Sequence, residues 1–224
     1  MKKLRILFVV ICLVTSIFST MTAQEKKFQA PATTGGMPIN EVIASRHSTR
    51  EFDTNRAIDD NTLGQLLWMA VGINRPEAQP GKSGVAANRS NPTALNWQEI
   101  NAYVFGKDGV WKYQPASNSL VLVKEGDYRS MVAGTKEFTQ DFVMEAPYSV
   151  VFVADLTNLP EEERTKAMAL VDVGIACENF TLACTSLGIA TVPRATMDSD
   201  AISTLLRLSP RQFPVMNNPI GYAR

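Results

Sequence analysis

The chain of 224 residues contains one histidine and three cysteines, with no C-x-x-C pair and no H-E-x-x-H run. That scarcity excludes the common zinc constellations, which need three or four imidazole, thiolate or carboxylate ligands at set spacings. No G-x-S-x-G elbow is present, and a single histidine, His47, does not identify a catalytic triad. No G-x-G-x-x-G follows a strand, so a nicotinamide cofactor is not held in a Rossmann crevice. "GKSG" at residues 81–84 has the tail of a phosphate loop, but Pro76 occupies the required upstream glycine position. Neither sign of charge is in excess: lysine plus arginine and aspartate plus glutamate each number 22. Without a basic field, nucleic acid is excluded as an expected partner.

One strongly apolar run lies at the start. "MKKLR" is followed by "ILFVVICLV" and then by "STMTA", the pattern of a secretory signal peptide over residues 1–23. The run is short for a bilayer, which needs about 20 apolar residues. Cleavage after Ala23 would leave 19 basic against 22 acidic residues, a formal charge of −3. The expected location is therefore the periplasm, with no stable membrane span after processing. Cys177 and Cys184 would remain, and on one helix their α-carbons would be about 10 Å apart, too far for a disulfide. Small core hydrophobes are the expected role of both.

Residues 24–37, with Pro31, Gly35 and Gly36 and no apolar periodicity, read as a flexible tether. The domain then spans residues 38–224. "PINEVIASR" and "DDNTLGQLLWMAVGI" carry helical apolar spacing. Residues 74–91 form a proline-, glycine- and asparagine-rich connector that is long for a passive loop. "QEINAYVFGKDGVWKYQPASNSLVLVK" predicts a three-stranded meander turned at "KDG". Helices are expected over "GDYRSMVAG" and "KEFTQDFVMEA", and "YSVVFVADL" suits a central strand. Residues 167–187 are apolar almost all round for about six turns. Such a helix must be buried within the domain or against a second copy. A short strand at "IATVPR", a capped helix at "MDSDAISTLLRL" and an extended end at "QFPVMNNPIGYAR" complete the chain. Irregular alternation of helices and strands places the fold in the α+β class, one mixed sheet flanked by helices.

Two polar clusters stand out. In "RHSTREF", residues 46–52, an extended course would turn Arg46, Ser48 and Arg50 one way and His47, Thr49 and Glu51 the other. Two guanidinium forks around a hydroxyl suit a phosphate; the solvated end of a helix would have the same composition. In "NPTALNWQE", residues 91–99, Thr93, Asn96 and Gln98 beside Trp97 could address the edge of a planar heterocycle, or could be turn chemistry alone.

In order, these stretches resemble the FMN-dependent nitroreductase family. "RHSTREF" is similar to its phosphate-binding signature, "NPTALNWQ" to its P-S-x-x-N-x-Q loop, "DVGIACENFTLACTSLGIATV" to its dimer helix and following strand, and "PIGY" to its C-terminal motif. The resemblance covers residues 39–222. It implies a homodimeric α+β fold with FMN at the subunit interface, and ping-pong hydride transfer from NAD(P)H to nitroaromatic or quinone-like acceptors. It further implies that Arg46, His47, Ser48 and Arg50 hold the FMN phosphate and ribityl chain. Thr93, Asn96 and Gln98 would serve the flavin ring from the other subunit, and the backbone of Val192, Pro193, Arg194 and Ala195 would lie against the ring. No protein catalytic residue is then required, because the flavin carries the chemistry. Thr93 departs from the family's serine and Glu99 from its usual proline, and the chain ends at Arg224, the one basic residue left for a C-terminal phosphate contact. Export would separate the protein from the usual supply of reduced nicotinamide. Two alternatives remain: an FMN-dependent dehydrogenase oxidising a small molecule or peptide azoline, suggested by the meander, and a flavin-free exported binding protein on the same fold.

Overall fold

The computed structural model describes residues 24–77 and 87–224. The leader expected over residues 1–23 and the "GKSG" stretch lie outside the described residues.

Strands β1 (Glu25–Lys27), β4 (Ile100–Gly106), β5 (Gly109–Gln114), β6 (Ser119–Glu125), β7 (Tyr148–Asp155), β8 (Ala190–Thr191) and β9 (Gln212–Gly221) make one sheet. Their order is β1-β6-β5-β4-β7-β9-β8. A separate ladder joins β2 (Ile73–Arg75) to β3 (Asn88–Arg89), so the long connector contains paired backbone at both ends. The helices are α1 (Ile39–Ser45), α2 (Asp60–Val71), α3 (Arg129–Ala133), α4 (Glu163–Ser186) and α5 (Ser199–Leu206).

β7 is central because both its faces are apolar. Val150, Phe152 and Ala154 point to the side covered by α2 and α4, while Val151 and Val153 point to the side covered by α3 and α5. The period of two thus fills two cores, and the sequence reads as a continuous run. Phe180 of α4 meets Phe152 edge-on at 5.8 Å between ring centroids, a favoured arrangement of aromatic quadrupoles. Local sequence sets the helix starts: Asp59 accepts from the Thr62 amide at 2.9 Å and Asp198 from the Ala201 amide at 2.9 Å, as N-cap residues do.

Three expectations require correction. The mixed sheet is antiparallel in every pairing between its described strands. β7, α4 and β8 form a crossover, but β9 slots between the two strands and runs against both. The tether is docked: β1 pairs with β6, Phe28 lies against Gly64, and Ala32 exchanges two hydrogen bonds with Gln65. Finally, "KEFTQDFVMEA" contains only a 3-10 turn at Asp141–Met144.

Cys177 and Cys184 are free and buried on α4. Burial pushes the Cys177 thiol up to about 12, and its Sγ faces Asn218 Oδ1 at 3.0 Å.

Candidate functional site

α1 ends at Arg46, whose ψ of 123° leaves the helical region. From there the chain runs extended. The Thr49 amide donates to the Thr191 carbonyl at 2.9 Å, and fully buried Phe52 bridges to Ala223. His47 and Thr49 line a hollow of about 250 Å³ together with Thr185, Gly188 and Thr191. Arg46, Ser48 and Arg50 do not border it, which matches the alternation of an extended strip. His47 places Nδ1 2.8 Å from the Ser45 carbonyl.

Among the described residues, Arg46 and Arg50 have no carboxylate partner. Arg50 instead adds to the field at Arg194. Burial, then the Arg50 charge, pushes the Arg194 guanidinium down to about 10. The positive potential of Arg50 is thus felt as far as Arg194.

Arg194 itself has a different task. Its guanidinium points inward, donating to Gln140 Oε1 at 2.7 Å, the Val132 carbonyl at 3.0 Å, Asn217 Oδ1 at 2.7 Å and the Ala133 carbonyl at 3.1 Å. Its backbone N–H is spent on the Asn217 carbonyl at 2.8 Å. Arg194 thus anchors the segment, and Val192, Pro193 and Ala195 flank it. Arg224, expected at a phosphate, is held by Glu145 at 2.8 Å. That ion pair was not visible in the sequence.

The second cluster is built at the other end of α4. In residues 93–98 three non-glycine residues have positive φ: Leu95 at 48°, Asn96 at 58° and Gln98 at 56°. Left-handed backbone at such residues costs free energy and gathers at functional sites. Side chains support it: Thr93 Oγ1 accepts from the Gln98 amide at 3.0 Å, Asn96 Nδ2 donates to Asn88 Oδ1 at 2.9 Å, and Gln98 Nε2 donates to Asn96 Oδ1 at 3.0 Å. The Ala94 amide donates to Asp172 of α4 at 2.7 Å. Beside Asp172 lies Glu99, buried, its carboxyl pushed up to about 7 by burial and then by the Asp172 charge, against the pull of Arg89.

The two clusters are not brought together within one chain. One packs near Asp172 and the other near Thr185, thirteen residues apart on α4, a rise of about 20 Å. Leu170 and Val171 of α4 and Ile39 and Ile43 of α1 are apolar side chains left 43 to 62% exposed. A Cβ added at Gly174 on α4 would meet no neighbouring atom within 4 Å among the described residues.

A family model for nitroreductases matches residues 43–222. The chain belongs to the nitroreductase family. A protein of Methanocaldococcus jannaschii named as a nitroreductase is 24% identical over 187 residues, 82% of this chain and 90% of its own. The crystal structure of a nitroreductase from Ralstonia eutropha JMP134 is similar with TM-score 0.76 and 29% identity, over 89% of this chain and 90% of that one. A nitroreductase family protein of Clostridium novyi NT shares the fold with TM-score 0.59 at 20% identity, over 84% and 86%. Membership of the nitroreductase family makes the protein an oxidoreductase. No group of three or more histidine, cysteine or acidic residues among the described residues could hold a metal.

Proposed function

We propose that the protein is an FMN-dependent oxidoreductase that reduces nitroaromatic or quinone-like small molecules with hydride drawn from NAD(P)H. The observation that carries this is the strip of half-buried Arg46 and exposed Ser48 and Arg50, two cations and a hydroxyl without an acidic partner among the described residues. That donor set fits the phosphate of FMN. Guanidinium forks bind a phosphate dianion through charge-assisted paired hydrogen bonds, and Ser48 adds a neutral donor. Bound there, the flavin would supply the hydride transfer, so no side chain has to act as nucleophile or acid. The chain's own contribution is position: Arg194 fixes the backbone of residues 192–195, and the strained 93–98 loop presents Thr93 and Asn96.

The separation of the clusters along α4 supports a homodimer as the working unit. Antiparallel pairing of two α4 helices would set residues 93–98 of one chain beside residues 46–50 of its partner. The exposed stripe of Ile39, Ile43, Leu170 and Val171 supplies an apolar surface for that contact.

The leader sequence supports a periplasmic location. Cleavage after Ala23 would start the chain at Gln24, whose carbonyl already accepts from the Leu122 amide at 2.8 Å.

Absorbance of the purified protein tests the flavin. A yellow protein that turns colourless in Arg46→Ala or Arg50→Ala is expected; a wild-type protein that takes up no FMN would sink the proposal and favour a flavin-free binding role. Anaerobic mixing with NADH or NADPH tests direction. Bleaching of the flavin is expected, and failure with both would favour the dehydrogenase.

A further inference from the structure

We propose that Glu99 is a positioning residue of the flavin site: its protonated carboxyl closes on Asp172 and holds residues 93–98 in the conformation that presents Thr93 and Asn96. This rests on flavin binding as proposed above.

Glu99 is 5% exposed, and neither of its carboxyl oxygens has a hydrogen-bond partner among the described residues. The acidic group that acts on it is another buried carboxyl, Asp172. Two ionised carboxylates cannot bond to each other, and a buried, unpaired charge is costly. One proton resolves both problems. Glu99 then donates to one oxygen of Asp172, while Asp172 Oδ2 accepts from the Ala94 amide at 2.7 Å. The chain Glu99, Asp172, Ala94 thus ties the end of the loop back to its beginning across α4. Such a tie offsets part of the cost of the positive φ angles at Leu95, Asn96 and Gln98.

The charged neighbour from β3 does not replace the proton. Arg89 lies close enough to pull Glu99 towards ionisation, but it donates Nη1 to the Ile100 carbonyl and forms no ion pair with Glu99. Tyr113 from β5 faces Arg89, and Asp172 is the facing group from α4.

The sign follows from linkage. The closed arrangement holds the Glu99 proton up to about pH 7, against an ordinary value of 4.5. Closure is therefore favoured at low pH and lost as pH rises through 7.

Three measurements on the purified protein, compared with Glu99→Gln, test this. In the flavin-free protein, infrared difference spectra should show a protonated carboxylic acid at about pH 5.5 that is gone at about pH 8 and missing in the variant. Exchange of the Ala94 amide, corrected for intrinsic rate, should lose protection over the same range in wild type only. The ratio of the wild-type FMN Kd to that of Glu99→Gln should rise about tenfold across that range; ionisation of the FMN phosphate is common to both proteins and cancels. No protonated acid in wild type at the lower pH, or a Kd ratio that does not move with pH, would overturn the proposal. If the protein binds no FMN, the flavin proposal has failed instead. The infrared and exchange results then decide the carboxyl pair alone, and equal Ala94 protection at both pH values overturns it.

Discussion

Arg194 and Asn217 hold each other by three hydrogen bonds. The Arg194 amide donates to the Asn217 carbonyl at 2.8 Å, the Asn217 amide donates back at 2.7 Å, and Arg194 Nη1 reaches Asn217 Oδ1 at 2.7 Å. The guanidinium also serves Gln140, Val132 and Ala133. Arg194→Met would leave these acceptors unpaired inside the protein, at a cost of about 3 kcal/mol. Arg194→Lys should recover only part, since an ammonium cannot reproduce the fork. Urea unfolding of the flavin-free protein measures both, and a loss of under about 1 kcal/mol in Arg194→Met would show that the anchor is dispensable.

Arg50 is in the opposite situation, a charge without a counter-ion among the described residues. Arg46→Ala and Arg50→Ala are each expected to weaken FMN binding by about tenfold or more, from the strength of a charge-assisted bond. Binding of riboflavin, which has no phosphate, should change little. Flavin fluorescence quenching gives both affinities; equal losses for the two ligands would place the arginines away from the phosphate.

Glu145 keeps Arg224 occupied at 2.8 Å, with the Arg224 side chain 60% exposed. An ion pair that open contributes at most a few tenths of a kcal/mol to stability. Glu145→Gln should therefore melt like wild type, yet bind FMN a few-fold more tightly by releasing a cation whose backbone lies against Glu51, next to Arg50. Adding Arg224→Ala to it should remove the gain. A double variant that keeps the tighter binding would assign the effect to something other than Arg224.

The thiols should be inert in the folded protein. Cys177 and Cys184 are buried and their thiols are pushed far above neutral pH, whereas alkylation needs the thiolate. Mass spectrometry after iodoacetamide at neutral pH should find both unmodified until the protein is unfolded. Rapid labelling of the native protein would contradict their place in the core.

Val171 lies on the apolar face of α4 and is 54% exposed. Val171→Asp should give a monomer by light scattering and, with it, loss of bound flavin, because residues 93–98 would no longer reach the partner's arginines. A monomer that keeps its flavin would place the whole site within one chain.

Sequence alone revealed what local periodicity encodes. The two-sided burial of β7, the meander of β4, β5 and β6, and the all-round apolar α4 are written in the spacing of Val150, Phe152, Val173 and Phe180. Pairings set by topology are not. Ala94 and Asp172 meet only because α4 folds back over the segment before β4, and Glu145 reaches Arg224 only because the chain end returns beside it. Strand β1 was missed for another reason: three residues, two of them lysines, show no alternation, and an edge strand gains its order from the backbone of its neighbour. The inward turn of Arg194 was hidden because an arginine between Pro193 and Ala195 has the same appearance whether its fork points to a ligand or to the core.

The pairing of β1 with β6 has a practical side. A protein begun at Pro38, where the apolar periodicity starts, would bare the backbone of Ser119–Glu125 along an open sheet edge and strip Phe28 from Gly64. An unguarded edge is a template on which other copies can add strands. Shortening the chain to its apparent domain would therefore open an edge prone to aggregate, and the thirteen residues between Gln24 and Pro38 serve as its guard.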